Sequence, residues 1–156
     1  MDEKLTISKI KEGTVIDHIA SGKGLLIPHI LGMDLNSREV FTVLVNAHSK
    51  LMGKKDIVKI QNKELEEKEV NVVALIAPKA TINIIRNYNV AGKRKVVLPK
   101  QIEGLLKCPN GFCITNNDQE AHTNFNLVSA SPLSLECAYC GIDIGDAEIL
   151  KQLSGK

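Results

Sequence analysis

Four cysteines constrain this chain more than any other feature. Cys108-Pro109-Asn110-Gly111-Phe112-Cys113 places four residues between two thiols, and Cys137-Ala138-Tyr139-Cys140 places two, with Gly141 behind. A tetrahedral ion is held by two short chelating turns that each present sulfurs from one side. Pro109, Gly111 and Gly141 are residue types that let a backbone bend that tightly. Two disulfides are the competing arrangement, with three pairings open to them. A Cys-x2-Cys disulfide, however, is a strained redox motif rather than a staple. Four thiolates close a metal's shell, so the expectation is one structural zinc ion held by Cys108, Cys113, Cys137 and Cys140. His122 lies between the two pairs, and as a ligand in place of a cysteine it would mark a zinc enzyme with an open position. A lone surface histidine is the blander reading.

The residues around the cysteines suggest why a metal is needed. Residues 101–150 show short strands, at Thr123 to Val128 and Leu133 to Cys137, between polar turns. So few large apolar side chains do not hold a core unaided, so the ion must supply the cohesion. A four-cysteine module of this size also suits a zinc ribbon that binds nucleic acid, the main rival reading. Charge opposes it. Residues 1–99 carry 16 Lys/Arg and 11 Asp/Glu, whereas residues 100–156 carry 4 and 7, so the cysteine half is the acidic one. Aromatic residues are only 3% of the chain and Trp is absent, which leaves few platforms for stacked bases.

At 156 residues the chain is one ordinary domain or two small ones. No apolar run approaches the ~20 residues of a membrane span, and no charged-then-apolar signal opens the chain. With reduced thiols, this points to the cytoplasm.

The first hundred residues read as strand, helix, strand, strand, helix, strand. Leu5, Ile7 and Ile10 form a semi-extended lead-in, and Thr14–Ile19 is a β-branched strand after Gly13. Leu25, Leu26, Ile30 and Leu31 recur at helical spacing up to Gly32, with Pro28 shortening that helix. Glu39–Val45 is a strand apolar enough for burial on both faces, residues 46–53 a polar turn, and Lys54–Ile60 a third strand. Asn62–Ala77 is the clearest helix, capped near Asn62, with Glu64, Glu66, Glu67 and Glu69 at its positive end. Leu65, Val72, Val73 and Ile76 give that helix its apolar face, and Pro78 stops it. Ala80–Arg86 is a fourth strand, and Val96-Val97-Leu98 a candidate fifth. This order is that of a ferredoxin-like split unit, an antiparallel sheet with two helices on one face. The fold expected is therefore α+β: a ferredoxin-like domain over 1–99 and a small all-β, zinc-ribbon-like domain over 100–156. Pro99-Lys100-Gln101 is the expected linker.

No catalytic constellation stands out. Asp17 and His18 on one strand, Lys59 and Asn83 on others, and Lys93 beyond Gly92 could converge across such a sheet. Lysines complement phosphate and a carboxylate suits ribose hydroxyls, although a strand-end lysine is commonly a solvated edge guard.

Four pieces carry a resemblance: Gly13-Thr14-Val15-Ile16-Asp17-His18-Ile19, Gly53-Lys54-Lys55-Asp56, Asn87-Tyr88 with Gly92-Lys93, and the cysteine spacing. In this order they resemble the regulatory chain of aspartate carbamoyltransferase, collinear from about Leu5 to Leu150. The resemblance implies a non-catalytic subunit of pyrimidine biosynthesis that binds CTP and ATP as effectors. It also implies pairing of regulatory chains through the N-terminal domain and docking of each zinc domain on a catalytic trimer. Carried over by position, Asp17 and Lys59 hold the ribose and Lys93 the triphosphate, with His18 near the phosphates. Ile10, Asn83, Ile85, Tyr88 and Val90 shape the pocket, and Lys55 supports it from the side. Strict strand alternation points Asp17 and His18 to opposite faces, so a shared ligand requires a bend there. Ser8 and Lys9 depart from the acidic-then-small pair of the family's lead-in, which bears on the choice between pyrimidine and purine.

Overall fold

The computed structural model of the chain describes residues 9–33 and 36–155. Leu5, Ile7 and Ser8 lie outside the described residues. Ile10, the last member of that lead-in, is buried. The chain forms two compact units, one ending at Val96 and the other beginning at Val97.

The first unit runs β1 (Gly13–Ala20), α1 (Leu26–Ile30), β2 (Phe41–Ser49), β3 (Gly53–Gln61), α2 (Glu67–Ile76), β4 (Thr81–Arg86) and β5 (Asn89–Lys95). The strands make one antiparallel sheet in the order β2-β3-β1-β4-β5. This is the expected split arrangement with an added edge strand. One face buries Ile16, Ile19, Val58, Ile60 and Ile82, and the helices bring Ile27, Val70, Val73, Ala74 and Ile76 to the same core. Among the described residues, no aromatic side chain is buried in it, as the shortage of aromatics requires.

Several element boundaries differ from those expected, each for a local reason. β2 is an edge strand whose residues 41–45 are only half-buried or exposed, not buried on both faces. It also runs on to Ser49 instead of turning at 46. Asn46 takes a left-handed φ of 63° at a bulge, and pairing resumes at Ala47. Helix α2 starts at Glu67, not Asn62, which adopts φ 59° in a turn. Glu66 is the N-cap, and its backbone N–H donates to the Glu69 side chain at 3.0 Å. Of the apolar face expected for α2, Val73 and Ile76 are buried, whereas Leu65 and Val72 are half-buried. The fifth strand is the polar Asn89–Lys95, not Val96–Leu98. Asn87 and Tyr88, at φ 51° and 67°, form the two-residue turn that folds β5 back on β4.

A buried carboxylate ties this unit's loops together. Asp56, fully buried on β3, accepts backbone N–H bonds from Gly22 (2.9 Å), Gly24 (2.8 Å) and Asn46 (2.9 Å). A Cβ on Gly24 would stand 2.7 Å from the Asp56 Cβ, so the loop closes only over glycine.

The second unit runs β6 (Gln101–Glu103), a 3-10 turn at Ile114–Asn116, β7 (Asn124–Ala130), β8 (Leu133–Cys137), β9 (Asp143–Gly145) and α3 (Asp146–Leu153). Its sheet has the order β6-β7-β8-β9. The residues expected as a linker partly belong to it: Gln101 opens β6, and the Lys100 carbonyl accepts from the Leu127 N–H at 2.8 Å. Helix α3 adds Ile149 to a core of Ile102, Leu106, Phe125, Leu133, Leu135 and Ile144. The sequence reading placed no helix there.

Asp56→Ala would leave the buried Gly24 N–H without an acceptor, at a cost of about 1–3 kcal/mol, and release the Gly22 and Asn46 N–H groups to water. Urea denaturation should show a loss of about 1–3 kcal/mol, and an unchanged midpoint would contradict this role.

Candidate metal centre and cationic sheet face

In the second unit, the loop between β6 and β7 carries Cys108 and Cys113, while Cys137 ends β8 and Cys140 sits in the turn to β9. All four sulfurs lie within 4.8 Å of one another. The Cys108–Cys140 and Cys113–Cys137 sulfurs are 3.6 and 3.8 Å apart, far beyond a disulfide bond. A regular tetrahedron of sulfurs at the usual Zn–S length of about 2.3 Å has an edge of about 3.8 Å. The site therefore has the dimensions of a four-thiolate zinc centre. His122 is exposed and is not among the grouped side chains.

Each turn is held by its own hydrogen bonds. In the second, the Cys137 N–H donates to Ile142 O (2.8 Å) and the Gly141 N–H to Cys137 O (2.9 Å), with Gly141 at φ 79°. The first turn is longer and is pinned from outside. Asn116 Nδ2 donates to Cys108 O (2.8 Å) and Asn110 O (2.7 Å), and Asn117 Nδ2 to Gly111 O (3.0 Å) and Cys113 O (2.9 Å). The Thr115 hydroxyl donates to Cys113 Sγ at 3.2 Å. Sequence reasoning passed over Thr115-Asn116-Asn117. The signal was available: two amide side chains directly after the second cysteine of a long chelating loop.

The thiols differ in proton affinity. Burial pushes Cys108 up to about 12, whereas the Ile142 backbone and then the Asn110 side chain draw Cys140 down to about 7. The Thr115 hydroxyl and backbone lower Cys113 as well. A metal entering the site must displace a proton from Cys108, so its affinity rises with pH.

In the first unit, strand register decides which expected residues share a face. Lys59 pairs with Val15, Val15 with Asn83, and Asn83 with Lys93, one row across β3, β1, β4 and β5. Two bulges extend this grouping. On β1, Ile16 opposes Val58 and Ile19 opposes Asp56, so the bulge keeps both isoleucines in the core and turns Asp17 and His18 away from it. His18 takes φ 60°, supplying the bend that a shared ligand requires. On β5, the register shifts at Ala91, and Val90 pairs with Ile85 on the face that carries Asn83 and Lys93. Tyr88 sits in the adjoining turn, 55% exposed, with its N–H bonded to Lys11 O at 3.0 Å.

The face is cationic. Lys55 Nζ lies 2.9 Å from Asp17 Oδ1, a half-buried ion pair, and the same carboxylate accepts the His18 N–H at 2.7 Å. Burial holds Lys59 below the usual lysine range, Asp17 opposes that shift, and Lys9 adds to it. Among the described residues Lys93 has no ion-pair partner. Ile10, by contrast, is buried.

Fold and sites together define a two-unit α+β protein that joins a split antiparallel sheet to a small four-cysteine metal-binding module. Residues 5–97 match the family model described as the aspartate carbamoyltransferase regulatory chain, allosteric domain, and residues 100–150 match its metal binding domain. The chain is 48% identical over 151 residues to the regulatory chain of Saccharolobus islandicus, covering 97% of this chain and 95% of that one. The Saccharolobus solfataricus chain matches to the same extent, and that of Sulfolobus acidocaldarius is 46% identical over 153 residues, covering 98% and 93%. The chain belongs to the aspartate carbamoyltransferase regulatory chain family. Its relatives are named as regulatory chains, and both domain descriptions are non-catalytic. Among the described residues no helix is long and apolar enough to cross a membrane.

Asn116→Ala frees two carbonyls of the first chelating turn. Loss of such support around a metal ligand weakens binding about 10–100-fold. Zinc transfer to a chromophoric chelator should quicken by about tenfold or more, and an unchanged rate would show that the turn holds its shape without Asn116.

Proposed function

We propose that this chain is the regulatory subunit of an aspartate carbamoyltransferase, sensing CTP and ATP on its N-terminal sheet and gripping catalytic trimers through its zinc module. On this reading residues 1–99 form the nucleotide-sensing domain and residues 100–156 the docking domain. One structural zinc per chain is held by Cys108, Cys113, Cys137 and Cys140. Two regulatory chains pair through their N-terminal domains, and the assembly works in the cytoplasm.

The observation that carries the nucleotide part is the row Lys59–Val15–Asn83–Lys93, with Asp17 and His18 beside it. Asp17 accepts from the ribose hydroxyls and Lys59, its desolvation relieved by a polyanion, donates to the same sugar. Lys93 neutralises phosphate charge, and His18 reaches the phosphates from the bulge. Ile85, Val90 and Tyr88 cover the base, with Asn83 offering an amide to its edge, Ile10 backing the pocket and Lys55 holding the Asp17 carboxylate in place from the side. A nucleotide held better in one quaternary state than in the other shifts the assembly toward it. The zinc module transmits that shift because its core is too small to stay rigid without the ion.

Calorimetric titration of CTP and ATP into the zinc-loaded chain tests the site. Lys93→Ala should weaken both nucleotides about tenfold or more, the scale of one lost charge-assisted contact. Unchanged affinity for both would overturn the assignment.

A further inference from the structure

The longer chelating turn contains the chain's only Asn-Gly pair, Asn110-Gly111. Such a pair is chemically distinct, because glycine has no side chain to keep its backbone nitrogen away from the preceding amide carbon. Gly111 is exposed, and a Cβ built on it would meet nothing within 4 Å, so no neighbouring group shields the pair from that side.

Asn110 is also the residue on which the bonding of this turn converges. Its carbonyl oxygen accepts the Cys113 N–H at 3.0 Å and Asn116 Nδ2 at 2.7 Å. Its Oδ1 accepts the Phe112 N–H at 3.0 Å, which ties the side chain forward past Gly111. Its backbone N–H bonds to the Cys108 sulfur and its side-chain amide to the Cys140 sulfur, one ligand from each chelating turn. Closing a five-membered ring through Asn110 Cγ and Gly111 N requires the side chain to leave the Phe112 N–H. It also requires the Asn110 peptide to rotate away from its two donors, a local opening of the turn. Those bonds belong to the shape the turn takes around four converged sulfurs, and the module depends on its ion for that shape.

We propose that Asn110 is a site of spontaneous deamidation guarded by the bound zinc, and that the products lower the module's affinity for the metal. In the step, the Gly111 nitrogen gives up its proton and bonds to Asn110 Cγ, the Cγ–Nδ2 bond breaks, and ammonia leaves with that proton. Water then opens the succinimide at either carbonyl, leaving aspartate or isoaspartate at position 110. Both products lack the amide donor to Cys140 and set a carboxylate beside the thiolates, which repels them. Isoaspartate also adds a methylene to the backbone between Cys108 and Cys113. It turns the carbonyl that Asn116 and Cys113 share into a free carboxylate. A chain that loses its zinc thus becomes progressively less able to take it back.

The test incubates the full chain at mildly alkaline pH with zinc and, in parallel, with a chelator. Peptides spanning residue 110 are followed by mass spectrometry and isoaspartyl labelling, with Asn36-Ser37 of the first unit as internal reference. Conversion at position 110 should be about tenfold or more faster without metal, the scale of several hydrogen bonds released, while conversion at Asn36 changes little. Equal rates at position 110 in the two samples, or a rise shared equally by Asn36, would overturn the guarding role. Gly111→Ala, whose added methyl has room, should slow the metal-free reaction severalfold and keep wild-type zinc affinity. An undiminished rate in it would remove the Gly111 nitrogen as nucleophile. Asn110→Asp should hold zinc about tenfold or more weakly. The converted wild-type chain, titrated with zinc in the same way, gives this reading whether or not the variant folds. Wild-type affinity in the converted chain would overturn the second half of the proposal.

Discussion

Four sulfurs within 4.8 Å of one another pose an electrostatic problem that the rest of the second unit is arranged around. Thiolates at such separations repel strongly, the more so where water is excluded, and Cys108, Cys113 and Cys137 are all buried. A divalent ion removes the repulsion and joins two turns that lie 23 residues apart in the sequence. The core of this unit holds seven aliphatic or aromatic side chains of any size, with Phe125 at its centre. The hydrogen bonds from Asn116 and Asn117 shape the longer turn in advance, so less chain ordering is left for the metal to impose.

The first unit meets a different demand: it must keep a buried face intact while presenting polar side chains from neighbouring strands at one place. A regular sheet would send Asp17 and His18 to opposite sides. The β1 bulge lets Ile16 and Ile19 both remain in the core with two polar residues between them. The left-handed residue at the bulge is a histidine, which tolerates that conformation better than a β-branched residue. The β5 bulge does the same for Val90 and Lys93. Asp56 stabilises the first arrangement from below by holding the loop at Gly22 and Gly24 and the matching bulge at Asn46.

Much of this was legible in the sequence, and the exceptions share a cause. The cysteine spacing, the order of the first four strands and the stop at Pro78 rest on local chemistry, and they stand where expected. β5 is not legible in the sequence because Asn-Val-Ala-Gly-Lys-Arg-Lys has no apolar alternation, and its pairing is directed by the Asn87-Tyr88 turn. The tail of β2 looked like a polar turn because its continuation depends on Asp56, ten residues further on. The sequence points to an early start for α2 because Asn62 is a good cap in isolation, whereas here it serves a left-handed turn. Helix α3 has a weak sequence signal because only Ile149 of its residues is buried. For the cationic face, residue types suggest Asp17, Lys59, Asn83 and Lys93 as candidates, but only register and bulges supply a reason for them to share one side of the sheet.

The central claim is that a metal ion is what makes the cysteine unit a rigid piece. Amide correlation spectra of the isotopically labelled chain, recorded as zinc is added to metal-free protein, address it directly. The account predicts collapsed, poorly dispersed resonances for residues 101–150 without metal and a single dispersed set at one equivalent of zinc, while the signals of the first unit change little. A fully dispersed spectrum for those residues in the absence of any metal would contradict it.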